Sequence, residues 1–301
     1  MGNSTHPAET IKKEKMTMKK VFGLLALAIC LNATTLLAQE PVKIGVAAMI
    51  SPKETVKYYK QMIDYVGAKL GQPVQMVQEE SYDKTDALLE SGEIPIAFVC
   101  AGPYVKDHDK FGAELLVAPQ SYGQPFYYAY IIVAKDSPIT DLAGLKGKSF
   151  AFTDPKSNTG KIVPTYMVGK EFNSTPENFF SEVIYSKSHD KSVEMVAKHL
   201  ADGASVDSLI YDYAAKKNPQ FTSLTKIIRK SPRYGIPPVI VRKDVDPALK
   251  AKIRDIFLNM HKDPTGKAIL DGIMVDKFIV PADADYNSVR EMADWLKINL
   301  K

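Results

Sequence analysis

From Val42 onward the chain alternates short apolar runs with longer amphipathic ones. Residues 42–49, 74–78 and 94–100 are apolar runs of strand length, and between them 53–70 and the shorter 85–89 mix apolar with charged positions. Strand, amphipathic segment, strand in that order predicts parallel strands joined by crossover helices. The second half repeats the theme, with strands over 149–152, 182–185 and 223–229 and helices from about 160 to 172 and 190 to 200. In the last of these Val193, Val196, Ala197 and Leu200 fall at i, i+3, i+4 and i+7, which predicts one buried face. Segments 247–260, 265–273 and 286–300 are helical by the same periodicity and return to the first half.

Two segments echo each other. Tyr130-Ile131-Ile132-Val133-Ala134-Lys135-Asp136 and Pro238-Val239-Ile240-Val241-Arg242-Lys243-Asp244 are both apolar strands that leave through Lys-Asp. Paired strands on which the chain crosses out and back predict two lobes, a hinge and a cleft. The first lobe is expected to comprise 39–135 and 236–301, with 136–235 inserted as the second. About 260 residues exceed one typical core and suit two lobes of roughly 100–150 residues each.

Residues 1–38 read as a polar N-terminal extension, upstream of a start expected at Met16 or Met18, and a secretory leader, with Lys19 and Lys20 before the apolar run 21–31 and small residues up to Ala38. Five Lys and two Glu fall in that stretch, so the net charge of +4 shrinks to +1 beyond it, which argues against a nucleic-acid partner. Of the two cysteines, Cys30 lies in the leader; the bulky Ile29 before it is wrong for a lipoprotein cleavage box. Cys100 alone remains, so no internal disulfide is expected. Beyond the leader no apolar run approaches the ~20 residues of a spanning helix. Stable membrane insertion is not expected, and a periplasmic monomer is.

The richest stretch chemically is Phe152-Thr153-Asp154-Pro155-Lys156-Ser157-Asn158-Thr159-Gly160-Lys161-Ile162-Val163-Pro164. An apolar strand runs through a hydroxyl-rich turn into a helix. Free N–H groups at the helix start, the positive end of its dipole and the Ser157 and Thr159 hydroxyls suit a tetrahedral anion. Plain N-capping is the competing reading of the same residues.

The first-lobe segment Phe98-Val99-Cys100-Ala101-Gly102-Pro103-Tyr104-Val105, read as a loop, the crossing Gly123-Gln124-Pro125-Phe126-Tyr127-Tyr128, the cradle from Asp154 to Pro164, Ser188-His189-Asp190 and Val206-Asp207 complete a pattern. In these motifs the chain resembles the phosphate, phosphite and phosphonate-binding periplasmic receptors of ABC importers, over residues 42–280. The resemblance implies an α/β fold of the type II periplasmic-binding kind: two lobes, each a mainly parallel sheet flanked by helices, joined by a two-strand hinge. It implies a phosphorus oxyanion as ligand, an ABC permease as partner, and no cofactor, metal or catalysis. By the same resemblance Ser157, Asn158 and Thr159, with Gly160, take the anion-donating positions, His189 is a further donor, Asp207 the cleft carboxylate, and Tyr127 and Tyr104 the aromatic neighbours. Asn158 departs from the hydroxyl usual there, and 208–213 depart as well, which touches the organic side of the pocket. A carboxylate beside an anion can only accept, so Asp207 suits a ligand that keeps a proton and disfavours sulfate.

Other constellations fail. Asp283, Asp285 and Asn287 begin like a calcium loop, but Ser288 replaces its glycine and Asp294 its bidentate Glu, which leaves a helix cap. The five histidines lack zinc spacing. A sensory receptor of the same fold, docking on a membrane kinase or chemoreceptor, is the alternative role. A secreted phosphoester-acting enzyme using His189 and Asp207 is the rival class, and it lacks a visible activated nucleophile.

Overall fold

The computed structural model describes Met1 and residues 40–300; apart from Met1, the leader and Cys30 lie outside the described residues. Along the chain run β1 (Val42–Val46), α1 (Pro52–Leu70), β2 (Val74–Val77), α2 (Tyr82–Ser91), β3 (Ile96–Phe98), α3 (Ala101–Phe111) and β4 (Glu114–Gln120). Next come β5 (Phe126–Tyr127), β6 (Ala129–Ala134), β7 (Ser149–Phe152), α4 (Val163–Phe172), α5 (Pro176–Phe179), β8 (Glu182–Tyr185), α6 (His189–Ala197) and β9 (Gly203–Asp207). The chain closes with α7 (Ser208–Lys217), β10 (Thr225–Lys230), β11 (Tyr234–Gly235), β12 (Val239–Val241), α8 (Pro247–Asn259), α9 (Pro264–Gly272), β13 (Lys277–Ile279) and α10 (Asn287–Asn299).

The strands form a six-stranded sheet, β13-β4-β12-β3-β1-β2, a five-stranded sheet, β10-β6-β9-β7-β8, and the short ladder β11-β5. Parallel pairing holds where a crossover helix intervenes, in β1 with β2, β7 with β8 and β7 with β9. Elsewhere the sheets are mixed rather than mainly parallel: β12 runs antiparallel to β3 and β4, and β6 antiparallel to β9 and β10. Both β6 and β12 arrive straight from the short ladder, with no crossover helix to turn them round.

That ladder corrects the reading of the echoed segments. Strands β6 and β12 lie in different sheets, and the pair that joins the sheets sits just outside them, Tyr127 opposite Tyr234 and Phe126 opposite Gly235. The second sheet therefore claims 129–134, which the sequence reading gave to the first lobe. Both echo strands are buried throughout, and a strand covered on both faces reads as one unbroken apolar run. The echo records burial, not pairing.

On the six-stranded sheet Met62 and Val66 of α1 pack with Ile44 and Val46, and Ile253 and Phe257 of α8 join the same core. On the five-stranded sheet Val193 and Val196 of α6 pack against Ile132 and Val206. Leu200 does not join them; it is 61% exposed, because α6 ends at Ala197 and His199 turns the chain through a left-handed φ of 56°. The stretch from Ala101, read as a loop, is the helix α3, and its Pro103 sits in the first turn, where no backbone N–H is missed. At the supposed calcium loop a short helical turn, Asp283–Tyr286, precedes α10, with the Asp285 carboxylate accepting the Ala282 N–H at 3.1 Å. Among the described residues no helix is long and apolar enough to cross a membrane.

Candidate functional site

Strand β7 ends at Phe152 and the chain turns sharply, Ser157 N–H donating to the Asp154 carbonyl at 3.0 Å. Ser157 then caps a single π turn, Asn158–Ile162, that leads into α4, its Oγ accepting the Gly160 N–H at 3.1 Å. π turns inside helices recur at functional sites. Gly160 is required by close approach: a Cβ there would stand 2.4 Å from Thr153 Oγ1. The capping reading thus holds for Ser157 and does not exhaust the segment. Thr159 Oγ1 and Asn158 Oδ1 are buried without a hydrogen-bond partner among the described residues. So is the hydroxyl of Tyr82, buried beside Ser157. Each such orphan costs about 1–3 kcal/mol, so several around one turn mark a place built to be paired by something else.

His189, the first residue of α6, is fully buried against this turn. Its Nδ1 receives the backbone N–H of Asp207 at 3.1 Å and lies 3.0 Å from Thr153 Oγ1. A backbone N–H can only donate, so Nδ1 is an acceptor and the neutral ring carries its proton on Nε2. Burial pushes the imidazole down to about 3, so it is neutral near pH 7. The resulting Nε2–H lies 3.4 Å from Ser157 Oγ, a neutral donor held beside the cradle. Asp207 is also buried, and one of its oxygens caps α7 by accepting the Leu209 N–H at 2.7 Å. Burial lifts its carboxyl to about 7, the backbone hydrogen bonds from Leu209 and Ile210 opposing the shift. Near neutrality Asp207 can therefore hold a proton itself as well as accept one.

Asn158 Nδ2 donates to the Tyr127 hydroxyl at 3.0 Å, and that hydroxyl lies 3.6 Å from Cys100 Sγ. Tyr127, Asn158, Thr159, Ser157, Gly160, His189 and Asp207 are thus brought into one buried cluster. Tyr104 is not engaged there: its hydroxyl donates to Asp283 at 2.5 Å and its ring packs on Tyr286 at 4.7 Å. Sequence reasoning missed Thr153 and Tyr82, neither of which carries a motif signal. It also missed Gly102, whose Cβ would stand 2.4 Å from the Lys156 carbonyl and 3.4 Å from Asn158 N. Through Gly102 the start of α3 abuts the cradle, so the positive ends of α3, the π turn and α6 converge on one spot.

Residues of the two sheets meet across this spot. His189 N–H donates to the Met49 carbonyl at 3.0 Å, Ser51 N–H to Asp190 Oδ1 at 2.9 Å, and Tyr82 N–H to Asp154 Oδ2 at 3.2 Å. Lys156 reaches from the cradle to Asp83 and Asp86 of α2. Beside the cluster lies a cleft of about 430 Å³ lined by both halves, and Asp207 is part of its wall.

The protein family described as ABC transporter, phosphonate, periplasmic substrate-binding protein matches residues 44–286. The chain belongs to this family. The phosphonates-binding periplasmic protein of Escherichia coli is 31% identical over 175 residues, 57% of this chain and 51% of that protein. The chain spans about half the length of the curated relatives it matches. Among solved structures, the binding protein component of an ABC phosphonate transporter from Pseudomonas aeruginosa superposes with a TM-score of 0.80 at 22% identity, covering 85% of this chain and 87% of that one. PhnD1 of Prochlorococcus marinus in complex with methylphosphonate gives 0.78 at 17% identity, covering 86% and 98%. These likenesses establish the fold: the phosphonate-family chain has the two-lobed, type II periplasmic-binding architecture.

Proposed function

We propose that this chain is a periplasmic receptor that closes its two lobes on a phosphorus oxyanion (phosphonate, phosphite or phosphate) and passes it to the permease of an ABC importer. The inserted lobe runs over about 128–233, from the short ladder out and back. The observation that carries the reading is the buried turn 157–160. There polar atoms of Asn158, Thr159 and Tyr82 that have no partner among the described residues stand where three helix starts converge. Membership of the family and the closed contacts across the lobes support it.

Binding rather than catalysis follows from the histidine. In a Ser-His hydrolase a carboxylate accepts a hydrogen bond from Nδ1–H, which leaves Nε2 unprotonated and free to accept from the serine. Here the backbone N–H of Asp207 occupies Nδ1, so Nε2 faces Ser157 as a donor and cannot serve as its base. A calorimetric screen of phosphite, phosphate, methylphosphonate and larger phosphonates tests the reading. Saturable binding of at least one, at one site per chain, is expected; no heat from any of them would refute it.

A further inference from the structure

The cleft that adjoins the cradle is far larger than a phosphorus head group with a single methyl needs. Its volume of about 430 Å³ falls within the roughly 300–1,000 Å³ of pockets that bury drug-sized ligands. Its wall is mostly apolar, with Tyr58, Tyr59, Phe98, Ile210, Tyr213 and Phe221 contributed from both lobes and polar side chains such as Lys53, Asn218 and Gln220 between them. Two aromatic pairs order that wall: Tyr58 of α1 meets Tyr213 of α7 edge-on at 4.5 Å, and Tyr59 meets Phe98 at 5.1 Å. The first pair bridges the lobes, so closing them brings an aromatic wall over whatever occupies the cleft.

Two of the carboxylates bordering the cleft already hold cations, Glu194 with Lys191 and Lys198 and Glu54 at 3.5 Å from Lys57, and Asp190 has one oxygen on the Ser51 N–H. An aminoalkyl substituent would bring an ammonium that needs such a group free. Asp207, buried at the junction of cleft and cradle, has one oxygen committed to capping α7. An apolar substituent has no such demand and gains from every aromatic face it covers.

We propose that the ligand is a phosphorus oxyanion bearing a bulky apolar group, aryl or long alkyl, with its head in the cradle, its substituent in this cleft and Asp207 at the junction. The assignment rests on the cradle reading above and names the substrate class of that site. Calorimetric titration of the protein with phosphite, methylphosphonate, octylphosphonate, phenylphosphonate and phenyl phosphate tests it. Phenyl- and octylphosphonate are expected to bind about tenfold or more tighter than methylphosphonate, from the apolar area they bury. Their binding should also show a more negative heat-capacity change. Whichever of phenylphosphonate and phenyl phosphate binds more tightly assigns the bulky ligand to phosphonates or to monoesters. Ala214→Trp, which places an indole on the cleft wall, is expected to abolish the advantage of the large ligands over methylphosphonate. If methylphosphonate or phosphite binds as tightly as phenylphosphonate in the unmodified protein, the cleft assignment falls and the cradle stands. If none of the five binds, the cleft assignment falls, and if inorganic phosphate does not bind either, the cradle falls with it. The ligand series on the unmodified protein decides the matter even if the variant does not fold.

Discussion

Thr159 and Ser157, two residues apart, do different work, and substitution separates them. Ser157 Oγ already caps the π turn, whereas Thr159 Oγ1 is buried with no partner among the described residues. Thr159→Val keeps the shape and removes the orphan, so the ligand-free protein should melt no lower while anion binding weakens by about 1.5–3 kcal/mol, the worth of a hydrogen bond to a charged group. Ser157→Ala should weaken binding and also cost about 0.5–2 kcal/mol of stability, the cost of a lost cap. Calorimetry paired with thermal melts reads both. Asp207 makes a pH-dependent claim. Burial raises its carboxyl to about 7, so the folded chain holds that proton more tightly than the unfolded one. The stability this contributes is full below the ordinary carboxylate range near 4 and is lost as pH rises through 7. Asp207→Asn keeps a capping side chain, so its melting temperature relative to the unmodified protein should climb between pH 4 and 7 and level off above. A flat difference would mean that Asp207 is not shifted in the fold. Above pH 7 the unmodified protein should take up about one proton as it binds a dianionic phosphonate, and Asp207→Asn close to none, which titrations in two buffers of unlike ionisation heat resolve. The cradle residues were legible because Ser, Asn, Thr and Gly cluster in sequence. The tautomer of His189 was not, because the amide of Asp207, 18 residues away in sequence, sets it. Tyr82 and Thr153 were not either, since a lone buried hydroxyl looks in sequence like any other core or cap residue.

Among the elements, the starts of α3, the π turn and α6 matter more than any helix as a whole. Short apolar runs located β1, β2, β3, β6, β7, β8, β10 and β12, with Glu182–Tyr185 to the residue, and missed β4, β5, β9, β11 and β13. Helix α3 escaped because Gly102 and Pro103 at its start read as a loop, although a proline in the first turn is compatible with helix. That same glycine makes the strongest claim at this scale. A Cβ at 102 would meet the Lys156 carbonyl across the lobes, a backbone atom that cannot rotate away. Gly102→Ala should therefore oppose closure, weakening ligand binding by roughly 1–3 kcal/mol, the scale of an overpacked contact. The ligand-free melt should change less. An affinity equal to that of the unmodified protein would show that the lobes do not approach there when ligand is bound.

For the whole molecule the sequence anticipated two lobes and misplaced what joins them: unbroken apolar runs report burial on both faces, whereas the ladder at Phe126–Tyr127 and Tyr234–Gly235 is too short to leave a pattern. Hydrogen bonds from His189 to Met49 and from Tyr82 to Asp154, with Lys156 on Asp83 and Asp86, hold the lobes together around the cradle. A ligand sealed between them adds its own contacts to both sides. Ligand at a hundred times its Kd should stabilise the fold by about 2.7 kcal/mol, a rise in melting temperature of several degrees for a chain of this size. Small-angle scattering should show the radius of gyration falling on saturation; an unchanged radius would count against hinge closure and leave binding untouched. The central claim is that the turn 157–160 grips a phosphorus oxyanion. Its most direct test is the titration of phenylphosphonate and methylphosphonate into the unmodified protein and into the Ser157→Ala, Thr159→Val double variant, each checked for folding by its melt. The account predicts one saturable site per unmodified chain and an affinity at least about a hundredfold weaker in the folded double variant, from two hydrogen bonds to charge. Equal affinities in the two proteins, or no binding to either, would contradict it.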